Sequence, residues 1–213
     1  VYTGTRADRK RALEDEEMRK VFGRLPELPE VTPDLRHAQN LFILMFLLRG
    51  LPFVDLAYLR KSDLRDNVIT YRRRKTGRSL SVTLAPEAMV LLRRYMDRNE
   101  SSPYLFPILS SDEGTEEAYR EYQLALRSFN QKLMLLGKLM GMEGKLSSYT
   151  ARHTWATTAY HCEIHPGIIS EAMGHSSITV TETYLKPFHN KKIDEANKKI
   201  VDFVRRSTGW AIV

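Results

Sequence analysis

Cysteine is nearly absent from this chain of 213 residues: Cys162 stands alone. No disulfide can form within it, and a reducing cytoplasm suits it. Long apolar stretches are missing too. The run LFILMFLL at residues 41–48 spans eight positions, far short of the roughly 20 that a membrane-crossing helix takes, so it reads as a buried core helix. No secretory leader pattern is visible. Acidic residues are the scarcer charge, 26 against 33 lysines and arginines, for a net charge of +7 and a pI near 9.5. That balance favours an acidic partner, nucleic acid first; with no apolar run of membrane length, no membrane partner is expected. The length suffices for one domain with its own core. The first residue is Val1 rather than methionine, which reads as a piece of a longer protein.

Residues 1–12 are basic and polar without apolar period, and read as a linker. A short helix is expected over 13–22, with acidic residues in its first turn. Pro26, Pro29 and Pro33 mark a loop. Helices follow from near Thr32, with Pro33 in the first turn, to about Arg49, closed by Gly50, and from Pro52 to about Arg60. Leu80, Val82 and Leu84 alternate with polar residues, as in a half-buried strand. Residues 67–74 can pair with them as a hairpin around Lys75-Thr76-Gly77-Arg78. Helices are then expected at 86–98, at 115–140 with Leu124, Phe129, Leu133 and Leu136 inward, and at 148–161, 167–173, 178–184 and 190–206. The sum is a mostly helical α+β fold with one small antiparallel sheet.

The chemistry concentrates at residues 151–184, ARHTWATTAYHCEIHPGIISEAMGHSSITVTETY. Arg152 can hold phosphate oxygens with a two-pronged fork. His175 can donate a hydrogen bond or move a proton. Tyr184 can attack phosphorus through its oxygen. A free phenol has a pKa near 10, so it needs cations or donors about it to act at neutral pH. The run Arg72, Arg73, Arg74, Lys75 and Arg78 in the hairpin turn suits phosphate binding.

These residues resemble the catalytic core of the tyrosine recombinases, or phage-type integrases. That family shows H-x-x-R-H-T and, further on, G-H-S-S-x-x-x-T-x-x-Y. The matching positions are Arg152, His153 and Thr154, then Gly174, His175, Ser176, Ser177, Thr181 and Tyr184, with the usual nine-residue step from His175 to Tyr184. The resemblance extends over about residues 13–206 and looks closest to the branch found in gut Bacteroidetes. It implies site-specific recombination of double-stranded DNA through a 3′-phosphotyrosine, with Tyr184 as nucleophile, Arg152 and His175 on the non-bridging oxygens, and Lys75 in a K-T-G turn as general acid. Arg72, Arg73, Arg74 and Arg78 would bind DNA. No ATP, metal or other cofactor is implied. Four copies would act together on DNA, the C-terminal helix at 190–206 reaching a neighbour. The implied place is the cytoplasm, at the nucleoid. The implied layout is a linker at 1–12, the catalytic domain at 13–206 and a tail at 207–213, without the N-terminal DNA-clamping domain.

Two positions depart from the pattern. Tyr149 stands where histidine is usual, so it can support the site by hydrogen bonding, as can His153, but it supplies no imidazole base. Pro52 stands where T-G-x-R-x-x-E-L has arginine, with Asp55 in the acidic slot. Arg49, three residues earlier, is expected to reach the active site instead, with Arg60 and Arg36 as further candidates. Such departures suit a DNA-binding relative without catalysis; a third reading is a type IB topoisomerase-like enzyme, which uses the same chemistry. His161, Cys162 and His165 are zinc-ligand types, but their spacing is not HExxH and no metal site is expected.

Overall fold

The computed structural model describes residues 12–27, 29–185 and 190–208. Most of the expected 1–12 linker and 207–213 tail lies outside them. Ala12 and Leu13 are nevertheless packed inside, and the Leu13 amide donates to Thr154 Oγ1 at 3.0 Å.

Helix α2 (Pro33–Leu47) is the hub, and α1 (Asp15–Phe22), α4 (Pro86–Tyr95), α5 (Glu116–Leu139) and α6 (Ser148–His161) pack around it. Its start follows from sequence: Thr32 Oγ1 accepts the Leu35 amide at 3.3 Å, and Pro33 takes the first turn, where no amide partner is needed. Its apolar run is fully used, with Phe42, Leu44 and Met45 at 0% exposure. Each such side chain contributes on the order of 1.5–3 kcal/mol by leaving water. Helix α5 buries Ala118, Phe129, Leu133 and Leu136. Leu124, expected on that face, is 63% exposed.

A short helix α3 (Phe53–Tyr58) leads into a three-stranded antiparallel sheet of order β1 (Leu64–Arg65), β2 (Val68–Arg72), β3 (Ser79–Thr83). Ile69 pairs with Val82 and Tyr71 with Leu80. The two-residue β1 carries too little pattern for sequence to reveal it. Beyond α6 come α7 (Pro166–Met173), α8 (Ile178–Glu182) and α9 (Asn190–Thr208). A second small core of Ala156, Ile169 and Met173 joins α6 to α7, and Tyr184 packs against it. Helix α9 leaves Ile193, Ile200, Phe203 and Val204 exposed. No helix among the described residues is long and apolar enough to cross a membrane.

Candidate active site

Helix α6 begins at a capping box in which the Ser147 amide donates to Thr150 Oγ1 at 3.1 Å. From that start the helical repeat sets Tyr149, Arg152 and His153 on one face. Arg152 is 2% exposed. Its Nη1 donates to the Gly50 carbonyl at 2.9 Å and its Nη2 to the Met173 carbonyl at 2.7 Å. Gly50 has φ +68°, and a Cβ there would lie 2.8 Å from the Arg152 Cα. Only glycine lets the end of α2 approach α6 this closely.

Arg152 Nη2 also lies 2.8 Å from His175 Nε2. A guanidinium can only donate, so Nε2 accepts. The ring proton therefore sits on Nδ1, which donates to Thr181 Oγ1 at 2.8 Å. Burial, and then the charges of Arg152, Arg73 and Lys75, push the His175 pKa down to about 3. The imidazole is neutral at physiological pH. Gly174, with φ +63°, ends α7 and turns the chain so that His175 faces inward.

Tyr184 follows α8, which Ser177 caps through the Val180 amide. Thr157 Oγ1 donates to the Tyr184 carbonyl at 3.0 Å. The Tyr184 ring lies 4.4 Å from the His153 ring and 5.1 Å from that of His175, stacked on the latter. Its hydroxyl is 2.5 Å from the Tyr149 hydroxyl. Burial presses on the Arg152 charge and the Arg73 guanidinium adds to that, whereas the Tyr184 phenol supports it. Tyr149, Arg152, His153, His175 and Tyr184 thus meet in one place.

The β2–β3 turn docks on the same segment. It is closed by the Arg73 amide donating to the Arg78 carbonyl at 2.8 Å and the Gly77 amide to the Arg73 carbonyl at 2.7 Å. Thr76 Oγ1 donates to the Gly174 carbonyl at 3.2 Å and Arg78 Nη1 to the His175 carbonyl at 2.5 Å. Lys75 is exposed on this turn, close enough for its charge to act on His175.

The four arginines expected to bind DNA part company. Arg72 is exposed. Arg74 lies over the Tyr58 ring at 3.7 Å and bonds Glu113 at 2.5 Å. Arg78 is held by the His175 carbonyl. Arg73 corrects the expectation: it is 6% exposed, and its Nη1 donates to the carbonyls of Met173 at 3.0 Å and Gly174 at 3.1 Å. Strand alternation is the reason. Ile69, Tyr71 and Arg73 point to one face, and that face is the core. The basic run hides a period of two that would have revealed it.

Arg49 has φ +60°, and its Nη1 donates to the Ser81 carbonyl on β3 at 3.2 Å. The part of this corner that bonds Arg152 is the Gly50 carbonyl. Arg60, one of the two further candidates, bonds Glu113 at 2.7 Å. Asp55 is buried beneath the turn, its Oδ1 accepting the Arg74 amide at 2.9 Å and its Oδ2 lying 3.5 Å from Arg73 Nε. Burial pushes its pKa up, against the pull of that amide and of Arg73 and Arg152. His165 Nδ1 accepts the Gly167 amide at 3.0 Å, a capping role at the start of α7. Among the described residues no group of three or more histidine, cysteine or acidic side chains could hold a metal.

Residues 13–191 match the Phage integrase family. The chain belongs to that family. Among curated relatives, the tyrosine recombinase XerA of Pyrococcus furiosus is 25% identical over 179 residues, covering 83% of this chain and 57% of that protein. This chain spans about six-tenths of the length of the XerA relatives it matches. A crystal structure of XerA recombinase superposes with a TM-score of 0.59 at 20% identity, over 88% of this chain and 62% of that one. A structure of XerH site-specific recombinase bound to palindromic difH substrate superposes with a TM-score of 0.59 at 19% identity, over 88% and 52% of the chains. The fold is that of the family's catalytic domain, mostly helical with a small antiparallel sheet. The named relatives are archaeal and Leptospira proteins rather than members of the Bacteroidetes.

Proposed function

We propose that this chain cuts and rejoins double-stranded DNA at specific sites through a covalent 3′-phosphotyrosine. The observation that carries the reading is the convergence, within one chain, of the Tyr184 hydroxyl with Arg152 and neutral His175. Tyr184 Oη attacks phosphorus and the bond from phosphorus to the 5′ oxygen breaks. The phenolic proton leaves through the Tyr149 hydroxyl, which is 2.5 Å away and belongs to a residue that is 42% exposed. The leaving 5′ oxygen takes a proton from the Lys75 ammonium. Arg152 holds charge that builds on the non-bridging oxygens. His175 contributes a neutral donor: once Arg152 turns to phosphate, the Thr181 hydroxyl can donate to Nδ1 and leave Nε2–H for an oxygen. Arg49 adds positive charge at the corner between α2 and β3, and His153 supports the Tyr184 ring.

The 5′-hydroxyl of a partner duplex reverses these steps. The ester energy stays in the phosphotyrosine bond, so no ATP or metal takes part. Two duplexes require four copies, and the exposed apolar face of α9 suits a neighbouring copy. Arg72 and Arg78 serve the DNA backbone. The reading includes a cytoplasmic, nucleoid-associated place of action, and on the motif resemblance alone it sets the chain nearest the Bacteroidetes branch.

The test uses nicked duplexes of randomised sequence, in which the short fragment released with a free 5′-hydroxyl diffuses away and so traps the adduct. The wild-type chain is expected to yield a protein–DNA adduct that selects a defined site, and Tyr184→Phe none. DNA binding without any adduct would point to a binding module instead. Plain relaxation of supercoiled DNA at any sequence would point to a topoisomerase.

A further inference from the structure

We infer that Arg73 is the second phosphate-holding guanidinium of this site, with Asp55 as its positioning residue. The inference rests on the recombinase reading and names a part of the site that Pro52 leaves unfilled.

Two guanidiniums meet at a single oxygen. The Met173 carbonyl accepts from Arg73 Nη1 at 3.0 Å and from Arg152 Nη2 at 2.7 Å. Both side chains are buried, at 6% and 2% exposure. Like charges held this close in a low-dielectric interior repel, and burial adds a desolvation cost to each. One carboxylate offsets them. Asp55 faces Arg73 Nε at 3.5 Å, as an ion pair without a hydrogen bond. Among the described residues Arg152 has no carboxylate within ion-pair distance, and its buried Nε has no hydrogen-bond partner. At least one positive charge is left unmatched inside the protein. A phosphodiester carries the single negative charge that balances it, and its two non-bridging oxygens suit two adjacent forks.

The backbone is shaped for this arrangement. A Cβ on Gly174 would lie 2.8 Å from Arg73 Cδ, at a φ of +63°. Glycine there leaves the channel through which Arg73 reaches the Met173 carbonyl. Asp55 occupies the acidic slot three residues after Pro52, so the pair keeps its carboxylate and draws its arginine from the end of β2. Arg49, the candidate closer in sequence, is engaged by the Ser81 carbonyl.

The test compares two substrates carrying the site selected by the wild-type chain. One has a normal scissile phosphodiester. In the other a methylphosphonate replaces it, so that one non-bridging oxygen becomes an uncharged methyl group. Arg73→Gln keeps an N–H donor group on a shorter side chain and removes the charge. Adduct formation on the phosphodiester should fall by about 100-fold or more, while the neutral methylphosphonate should restore it to within about tenfold of wild type. Asp55→Asn should show the same asymmetry in weaker form. Equal losses on both substrates would mean that Arg73 only supports the fold, and would overturn the inference, as would undiminished cleavage of the phosphodiester. An unfolding midpoint for each variant separates misfolding from lost chemistry. If Arg73→Gln does not fold, Arg73→Met, which also removes the charge, takes its place, with the same asymmetry expected and equal losses on both substrates overturning the inference. A wild-type chain that forms no adduct at any sequence refutes the recombinase reading itself. A wild-type adduct with a symmetric Arg73 effect refutes only the role of Arg73.

Discussion

Replacing Gly50 by alanine should do more damage than its size suggests. The residue has φ +68°, where a β-carbon costs about 1–2 kcal/mol. The new methyl group would sit 2.8 Å from the Arg152 Cα and 3.3 Å from its Cβ. The Arg152 main chain is fixed in α6 and cannot swing away as a side-chain tip would, so overpacking adds about 1–3 kcal/mol. The expected loss is about 2–5 kcal/mol, a large share of the roughly 5–15 kcal/mol that holds a domain together. Denaturant unfolding measures it. The neighbouring Arg49→Gly provides the contrast. Arg49 already bears a left-handed backbone at φ +60°, so glycine relieves about 1 kcal/mol of strain. It also loses the bond to the Ser81 carbonyl, worth about as much. Arg49→Gly should therefore unfold close to wild type. If Gly50→Ala lies within about 0.5 kcal/mol of wild type, or if the two substitutions cost the same, the close approach of α2 to α6 does not hold the site in the way described.

Tyr149→Phe removes the hydroxyl next to that of Tyr184. Adduct formation should slow by about 10–100-fold with DNA affinity unchanged and its pH profile altered, and Tyr149→His should recover much of the rate; an unaltered rate and profile would refute the proton path. Stability should also respond to acid through His175, which faces the cations Arg152, Arg73 and Lys75. Its folded pKa of about 3 lies below the ordinary 6.5, so the unfolded chain takes up the proton first. The contribution is fully present above pH 6.5 and is lost as pH falls towards 3, with a slope of up to about 1.4 kcal/mol per pH unit. Asp55, whose pKa burial raises, acts in the opposite sense just above pH 3.8, so the His175 part is read as the difference from His175→Gln, and an identical acid profile for the two proteins would refute it.

Much of this was legible in the sequence because the signals are local. The period of two at Leu80, Val82 and Leu84 gave β3, and proline at first turns gave the starts of α2 and α4. The motif around Arg152, His175 and Tyr184 located one half of the site, and these three do lie together. What stayed hidden was long-range. Arg73 sits in a run of four basic residues that looks solvated, and its burial depends on a carbonyl 100 positions away. Arg49 was placed by reach alone, and its bond to the Ser81 carbonyl depends on a strand whose position relative to α2 no local pattern specifies. Leu124 was misassigned because an apolar residue on an amphipathic helix need not lie under a neighbour.

The carbonyls of Met173, Gly174 and His175, three in succession, receive four side chains: Arg73, Thr76, Arg78 and Arg152. None of these acceptors is encoded by a side chain. The anchorage of the cations is therefore largely invisible to point substitution: an apolar replacement at Met173 keeps the oxygen that both guanidiniums share. The vulnerable feature is the path of the main chain, and that path is set at one codon, Gly174. Genetic screens that sample side chains should report Met173 as tolerant of apolar replacements of its own size, and the glycine and the imidazole that follow it as tolerant of little.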